Sequence, residues 1–377
     1  MFHTKSTYIT FLAISLIVIT TVACQPKQQE AKPNPDTIQK VRYRSNSETT
    51  DQTDPSVNPL SEASHENIDA IIRKYVDNGT FSGNVLVSHA GQVIHNQSYG
   101  KANLSSGTMN NNQTKFAIAS LTKPFTAMAI MQLQEKGQLQ ESDKVSKYLP
   151  DYAHADQITI HQLLTHTSGI ASNTTFEPYW NQPLSSTPGT KYAYSNSNYL
   201  LLQKIIESVS KQPYLTFLKE NIFSPLGMTH TGYSNTMKDV DQAATGYQKN
   251  QSGSPQAYYV SGLDLGGAGG LYSTVGDLYK WGEGIRLNQL VQENTKNKIF
   301  TPDAIPLQTL KDSGYGYGWM IANDKSWARH QGTIGGFQSF MTLHFQHDFT
   351  IILLSNYRYA PVADINQEIS DILIEEE

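Results

Sequence analysis

Residues 116–128 read FAIASLTKPFTAM, and in this largely apolar stretch Ser120 and Lys123 stand three positions apart. That spacing puts two side chains on one helix face, so the Lys123 amine can reach the Ser120 hydroxyl. A serine hydroxyl becomes an effective nucleophile only when a neighbouring base takes its proton, and a lysine desolvated in an apolar pocket is neutral enough to do so. Residues 121–133 are apolar nearly all round, the mark of a helix buried on every side. Pro124 suits the first turn of such a helix, where N–H groups have no intrahelical use. Ser120 is then expected at the positive end of the helix, which favours a developing anion.

Ser-x-x-Lys recurs as Ser208-Val-Ser-Lys211, but that copy closes the helix read over 199–210, just before Gln212-Pro213, and reads as an exposed stop. Two other stretches offer polar groups. Tyr194-Ser195-Asn196 lies in the turn-rich PGTKYAYSNSNYLLL, where Tyr194 reads as a proton relay or a loop anchor and Asn196 or Ser197 as an N-cap. Tyr-Ser-Asn also occurs at Tyr233-Ser234-Asn235, and spacing does not choose between the two. His330-Gln331-Gly332-Thr333 precedes a strand-like run, with Gly332 allowing close backbone approach to a ligand.

The elements that must position these groups follow from periodicity. Ile68, Ile71, Ile72, Tyr75 and Val76 predict a helix that Asn78-Gly79 stops. GNVLVSH and GQVIHNQSYG predict a β-hairpin about His89-Ala90-Gly91. Runs 317–321, 337–345 and 350–356 are strand-like, with His347-Asp348 as the last turn, and 361–374 predict an amphipathic helix. The middle, about 120–300, reads as mainly helical, with Leu202, Ile205, Ile206 and Val209 forming one stripe. The expected fold class is α/β (α+β): an antiparallel sheet built from both chain ends and flanked by helices, with a large helical insertion.

At the N-terminus, Ile9–Val22 is a run of 14 uncharged residues behind Lys5, the layout of a secretory leader. The sole cysteine, Cys24, rules out an intramolecular disulfide, and TVAC around it resembles a lipobox with Thr21 where Leu is usual. Residues 1–23 thus read as a signal peptide and 24–62 as a lipid-anchored flexible linker, polar and nearly free of apolar residues. An ordinary signal peptide, or an uncleaved anchor with an incidental thiol, is the alternative. The folded domain is expected over 63–377.

A formal net charge of −5 gives no basic footprint for nucleic acid. No Gly-x-Ser-x-Gly elbow occurs, so α/β-hydrolase chemistry has no support. GGAGG at 266–270 lacks the continuation of a phosphate loop, and Thr274 with Asp277 behind it reads as a capping box. His154, His161 and His166 lack a His-Glu-x-x-His frame or cysteine partners, so no metal is expected there and they read as core or loop histidines.

In order, Ser120-Leu-Thr-Lys123, Tyr194-Ser-Asn196 and His330-Gln-Gly332 resemble the three signatures of the penicillin-recognising serine hydrolases: class C β-lactamases, DD-carboxypeptidases and related D-alanyl esterases. HQLLTHTSG (161–169), PGTKYAYSNSNY (188–199), PLGMTHTGY (225–233) and GGLYSTVGDL (269–278) add to the likeness, which covers about 65–377 and leaves Tyr233 outside the catalytic motif. The Glu-x-x-Leu-Asn run of class A enzymes does not occur.

The resemblance implies Ser120 as acyl-accepting nucleophile, Lys123 as its base, Tyr194 as proton shuttle to the leaving group and Asn196 as a substrate-amide contact. It implies His330 on the opposite wall, on an edge strand, and an oxyanion hole from the backbone N–H groups of Ser120 and Thr333, with no cofactor or metal. Where the family often has Lys-Thr-Gly this chain has His330, so a permanent charge is expected to become a titrating one. That tilts the expected substrate from β-lactams toward D-alanyl peptides or esters, on peptidoglycan or teichoic acid. A class C-like β-lactamase or general esterase, and a non-catalytic cell-wall-binding protein, are the other readings.

Overall fold

Apolar residues at helical spacing place Ile68 and Ile72 on the inner side of α1 (Glu62–Asp77), which ends at Gly79 with φ +65°. The computed structural model describes residues 62–171, 182–259, 265–303 and 312–375. The leader, Cys24 and the linker up to residue 61 lie outside them, and Glu62, read as the linker's last residue, opens α1.

After α1 come β1 (Gly83–His89) and β2 (Gln92–Tyr99), the expected hairpin. There follow β3 (Phe116–Ala117), α2 (Lys123–Glu135), α3 (Ile160–Leu164), α4 (Asn196–Ser210), α5 (Tyr214–Leu218), β4 (Gly232–Tyr233), β5 (Tyr247–Lys249) and β6 (Pro255–Ala257). The chain continues through α6 (Gly266–Gly269), β7 (Leu271–Ser273), α7 (Val275–Arg286) and α8 (Glu293–Ile299). It closes with β8 (Ser313–Tyr315), β9 (Met320–Ala322), β10 (Trp327–Ile334), β11 (Phe337–His344), β12 (Phe349–Ser355) and α9 (Val362–Glu375).

The main sheet runs β2-β1-β12-β11-β10-β9-β8, antiparallel at every pairing, so strands from both ends of the chain meet where β1 pairs with β12 from Gly83↔Ser355 to His89↔Phe349. Alternation along these strands splits the core. Val85, Val87, Ile351 and Leu353 pack with α1 and α9, while Leu86, Ile352, Leu354 and Met341 join the cluster that includes α2 and α7. The region 120–300 carries α2 to α8 as expected, and also the strands β4 to β7, which the helical reading omitted.

Local details depart from the sequence reading. Ser120 sits in a 3-10 turn, Ala119–Thr122, and the α-helix starts at Lys123. The 317–321 strand begins only at Met320, because Gly318 turns the chain at φ +81°. Thr274 accepts the Asp277 N–H, but the Asp277 carboxylate bonds the His230 N–H and the Thr231 hydroxyl, so the cap is half a box.

Candidate active site

The short β3 delivers the chain into a forced turn: Ala119 has φ +49°, a region a non-glycine residue enters at a cost of about 1–3 kcal/mol. The 3-10 turn that follows eclipses side chains three apart. This is why Lys123 Nζ stands 3.1 Å from Ser120 Oγ. Lys123 is fully buried, and burial lowers its pKa well below the ordinary lysine value. Its nitrogen also donates to Asn196 Oδ1 at 2.8 Å and to the Ala268 carbonyl at 2.7 Å. As a neutral amine it can make both bonds and keep its lone pair for the Ser120 proton; as an ammonium it has three acceptors. The surroundings serve both states, as a base that takes up and returns a proton requires.

From the far side the Tyr194 hydroxyl donates to Ser120 Oγ at 3.0 Å, and Lys123 Nζ lies 4.9 Å from the Tyr194 ring centroid. Burial raises the Tyr194 pKa, so the phenol keeps its proton at neutral pH. Tyr194, Ser195 and Asn196 are held by His166, a buried residue at φ +58°. His166 Nδ1 accepts the Ser195 N–H at 3.2 Å and the Asn198 side-chain amide at 2.9 Å. Its ring lies 4.4 Å from that of Tyr194, and burial pushes its pKa well below the ordinary histidine value.

The opposite wall is β10. A side chain at Gly332 would place Cβ 2.1 Å from the Ile118 carbonyl and 3.0 Å from the Ser120 nitrogen, so only glycine lets the strand lie against the serine turn. Ser339 of β11 pins the same carbonyl, donating to Ile118 O at 2.7 Å. Thr333 follows Gly332, its hydroxyl donating to Gln338 Oε1 at 2.7 Å. β9 pairs with β10 only at Ala328 and Arg329, so β10 is an interior strand at its start and unpaired on the β9 side from His330 on.

Taken together, Ser120, Lys123, Tyr194, Asn196 and the Gly332 backbone lie side by side, with a buried amine and a phenol both bonded to the Ser120 oxygen. A family model described as Beta-lactamase matches residues 68–374. The chain belongs to the β-lactamase family. Within that family, PbpX of Bacillus subtilis (strain 168), named as a penicillin-binding protein, is 32% identical over 343 residues, covering 87% of this chain and 85% of PbpX. The crystal structure of a penicillin-binding protein from Bacillus halodurans superposes with a TM-score of 0.73 at 26% identity, over 81% of this chain and 99% of that one. A class C β-lactamase shares the fold with a TM-score of 0.71 at 18% identity, covering 82% and 96% of the two chains.

The β-lactamase family and its structural neighbours are serine hydrolases, and against that background two expectations change. His330 is not a titrating surface charge: its ring is buried, Nδ1 donates to the Gln331 carbonyl at 2.8 Å, Nε2 accepts from the Tyr315 hydroxyl at 3.0 Å, and burial pulls its pKa down to about 3. Neither Asn196 nor Ser197 caps α4; Ser195 takes the cap position without a side-chain bond, because the Asn196 oxygen is committed to Lys123. The second Tyr-Ser-Asn is structural, with the Tyr233 hydroxyl donating to Asn235 and accepting the Gly266 N–H. Lys211 is an exposed C-cap at φ +60°, as expected of a helix stop.

Sequence reasoning missed Ala268, His166 and Tyr315. Ala268 acts through its carbonyl, brought to Lys123 by the GGAGG turn, in which a side chain at Gly270 would strike the Tyr233 ring at 2.1 Å. Tyr315 lies in a buried aromatic cluster, its ring 4.8 Å from that of His166. No group of three metal-ligating side chains is found among the described residues.

Proposed function

We propose that the chain is a cell-envelope serine hydrolase working through an acyl-enzyme on Ser120, with D-alanyl groups as substrates. The observation that best supports this reading is the convergence on Ser120 Oγ, with Lys123 Nζ at 3.1 Å and the Tyr194 hydroxyl at 3.0 Å.

Lys123 takes the Ser120 proton as Oγ bonds to the scissile carbonyl carbon and the carbonyl electrons move onto oxygen. The N–H groups of Ser120 and Thr333 hold that oxyanion, a contribution of roughly 3–4 kcal/mol per donor. On collapse the leaving group departs with the Tyr194 proton, and Lys123 returns the proton it took through the same phenol. Water then repeats the sequence in reverse roles and frees Ser120. Asn196 holds Lys123 and, in this reading, meets the substrate amide.

Neutral His330 offers no fixed cation to a carboxylate beside Thr333, which favours a D-alanyl ester on a teichoic acid over a β-lactam or a peptide ending in a free carboxylate. Lipidation at Cys24 would hold the domain at the membrane among such polymers; the sequence alone supports that part.

The test is release of free D-alanine from isolated envelopes by the fragment starting at Gln25, beside its Ser120→Ala copy. Ser120-dependent release, with a matching acyl mass on the Ser120 peptide, is expected. Equal release by both proteins, or none by either, overturns the reading.

A further inference from the structure

Beyond Gly332, at the Ile334 end of β10, lies a cavity of about 490 Å³, within the ~300–1,000 Å³ of small-ligand sites. Its floor includes Ile334 and Phe337, and Ala117 forms part of one wall. Ile334 shares the buried face of β10 with His330 and Gly332, since alternate residues of a strand point the same way. Ala117 is three residues from Ser120, at most about 10 Å of chain. The inner end of the cavity is therefore one or two substrate units away from the nucleophile.

The rim has a different chemistry from the floor. Lys238 is the charged residue among the described lining, and it makes no ion pair among the described residues. Its ammonium lies 4.9 Å from the ring centroid of Tyr259, which is 50% exposed. The backbone fixes this placement: Ser234 Oγ accepts the N–H groups of Thr236 and Met237, and Thr236 Oγ1 accepts that of Lys238. An apolar floor beside a lysine on the rim suits a ligand with an apolar stem and an anionic end.

We propose that this cavity is a specificity subsite for an anionic group on the substrate, with Lys238 as the discriminating residue. The proposal rests on the hydrolase reading for its substrate. A carboxylate on a peptide and a phosphate on a polyol-phosphate polymer share the required chemistry.

Two pairs of compounds separate these sources: a D-alanyl-D-alanine peptide bearing a side-chain carboxylate or its carboxamide, and D-alanyl glycerol with or without a phosphate. In kcat/KM, at least one pair is expected to favour its anionic member about tenfold, the ratio falling to about one in Lys238→Gln and inverting in Lys238→Glu. The favoured pair names the source, and because each ratio is taken within one preparation, loss of folded protein cancels. Absence of any charge preference, or one that survives Lys238→Gln, overturns the subsite. Calorimetric binding of the same four compounds to Ser120→Ala, with and without Lys238→Gln, reads the cavity without turnover. Charge-dependent binding without hydrolysis by the intact protein would sink the hydrolase reading and keep the subsite; binding indifferent to charge would sink the subsite.

Discussion

The two faces of the main sheet are built on opposite principles. Against α1 and α9, Ile68, Ile72, Val85, Val87, Ile351, Leu353, Ile365 and Ile369 are all fully buried, His95 beside Tyr99 is an uncharged buried histidine, and charge sits at the rim, where Lys74 and Tyr75 bond Glu368. On the other face the chain buries Lys123, His166 and His330 near one another and bends Ala119 and His166 into positive φ. Burying ionisable groups and straining backbone both work against stability. The apolar face offsets what the reactive face loses, so changes on the two should separate stability from activity.

The sharpest test of that division is Lys123→Met. It should lower kcat/KM by about 10³- to 10⁴-fold by removing the base, yet destabilise by only about 1–3 kcal/mol, from the orphaned Asn196 and Ala268 oxygens. Steady-state kinetics beside urea melts decide it; a fall in both together would mean that Lys123 is mainly structural. The converse variant is Ile369→Ala, fully buried under the sheet. It should cost about 3–4 kcal/mol in urea while kcat stays within about twofold. A large drop in kcat would break the separation of the faces.

Gly332→Ala probes the seam between β10 and the serine turn. With a Cβ 2.1 Å from Ile118 O, the strand must withdraw, and kcat should fall about 10²-fold with the far-UV circular dichroism unchanged. The smallest effect expected is on pH. His95, buried beside Tyr99, has its pKa pulled down to about 4 by burial, against about 6.5 in the unfolded chain. The unfolded chain binds the proton more readily, so stability is full well above pH 6.5 and declines as pH falls toward 4, by about 3 kcal/mol at this site. In His95→Gln the urea midpoint should fall less steeply over that window; an unaltered slope would dismiss His95 as the source.

What could be read from the sequence was local or periodic. The β1–β2 hairpin, β11, β12, α1 and α9 declare themselves by alternation or helical spacing, and Ser120 with Lys123 by being three apart. Contacts between distant segments left no such trace. The carbonyl that Lys123 bonds belongs to Ala268, 145 positions away, and a backbone oxygen has no residue signature. The charge of His330 was misread for a related reason: imidazole chemistry is in the residue, but its neutrality comes from the Tyr315 hydroxyl and from burial, which only the assembled sheet supplies.

The pairing of β1 with β12 also sets an order of events. Ser355 donates to the Ser82 carbonyl across 273 positions, and β10, which walls the nucleophile, sits on the same late-arriving sheet. Contacts of such separation are slow to form. A chain emerging from its N-terminal end presents Ser120 long before it presents Gly332, so the serine lacks its β10 wall until the last fifth of the polypeptide arrives. A chain cut short before β10 therefore carries Ser120 and Lys123 without the strand that closes over them.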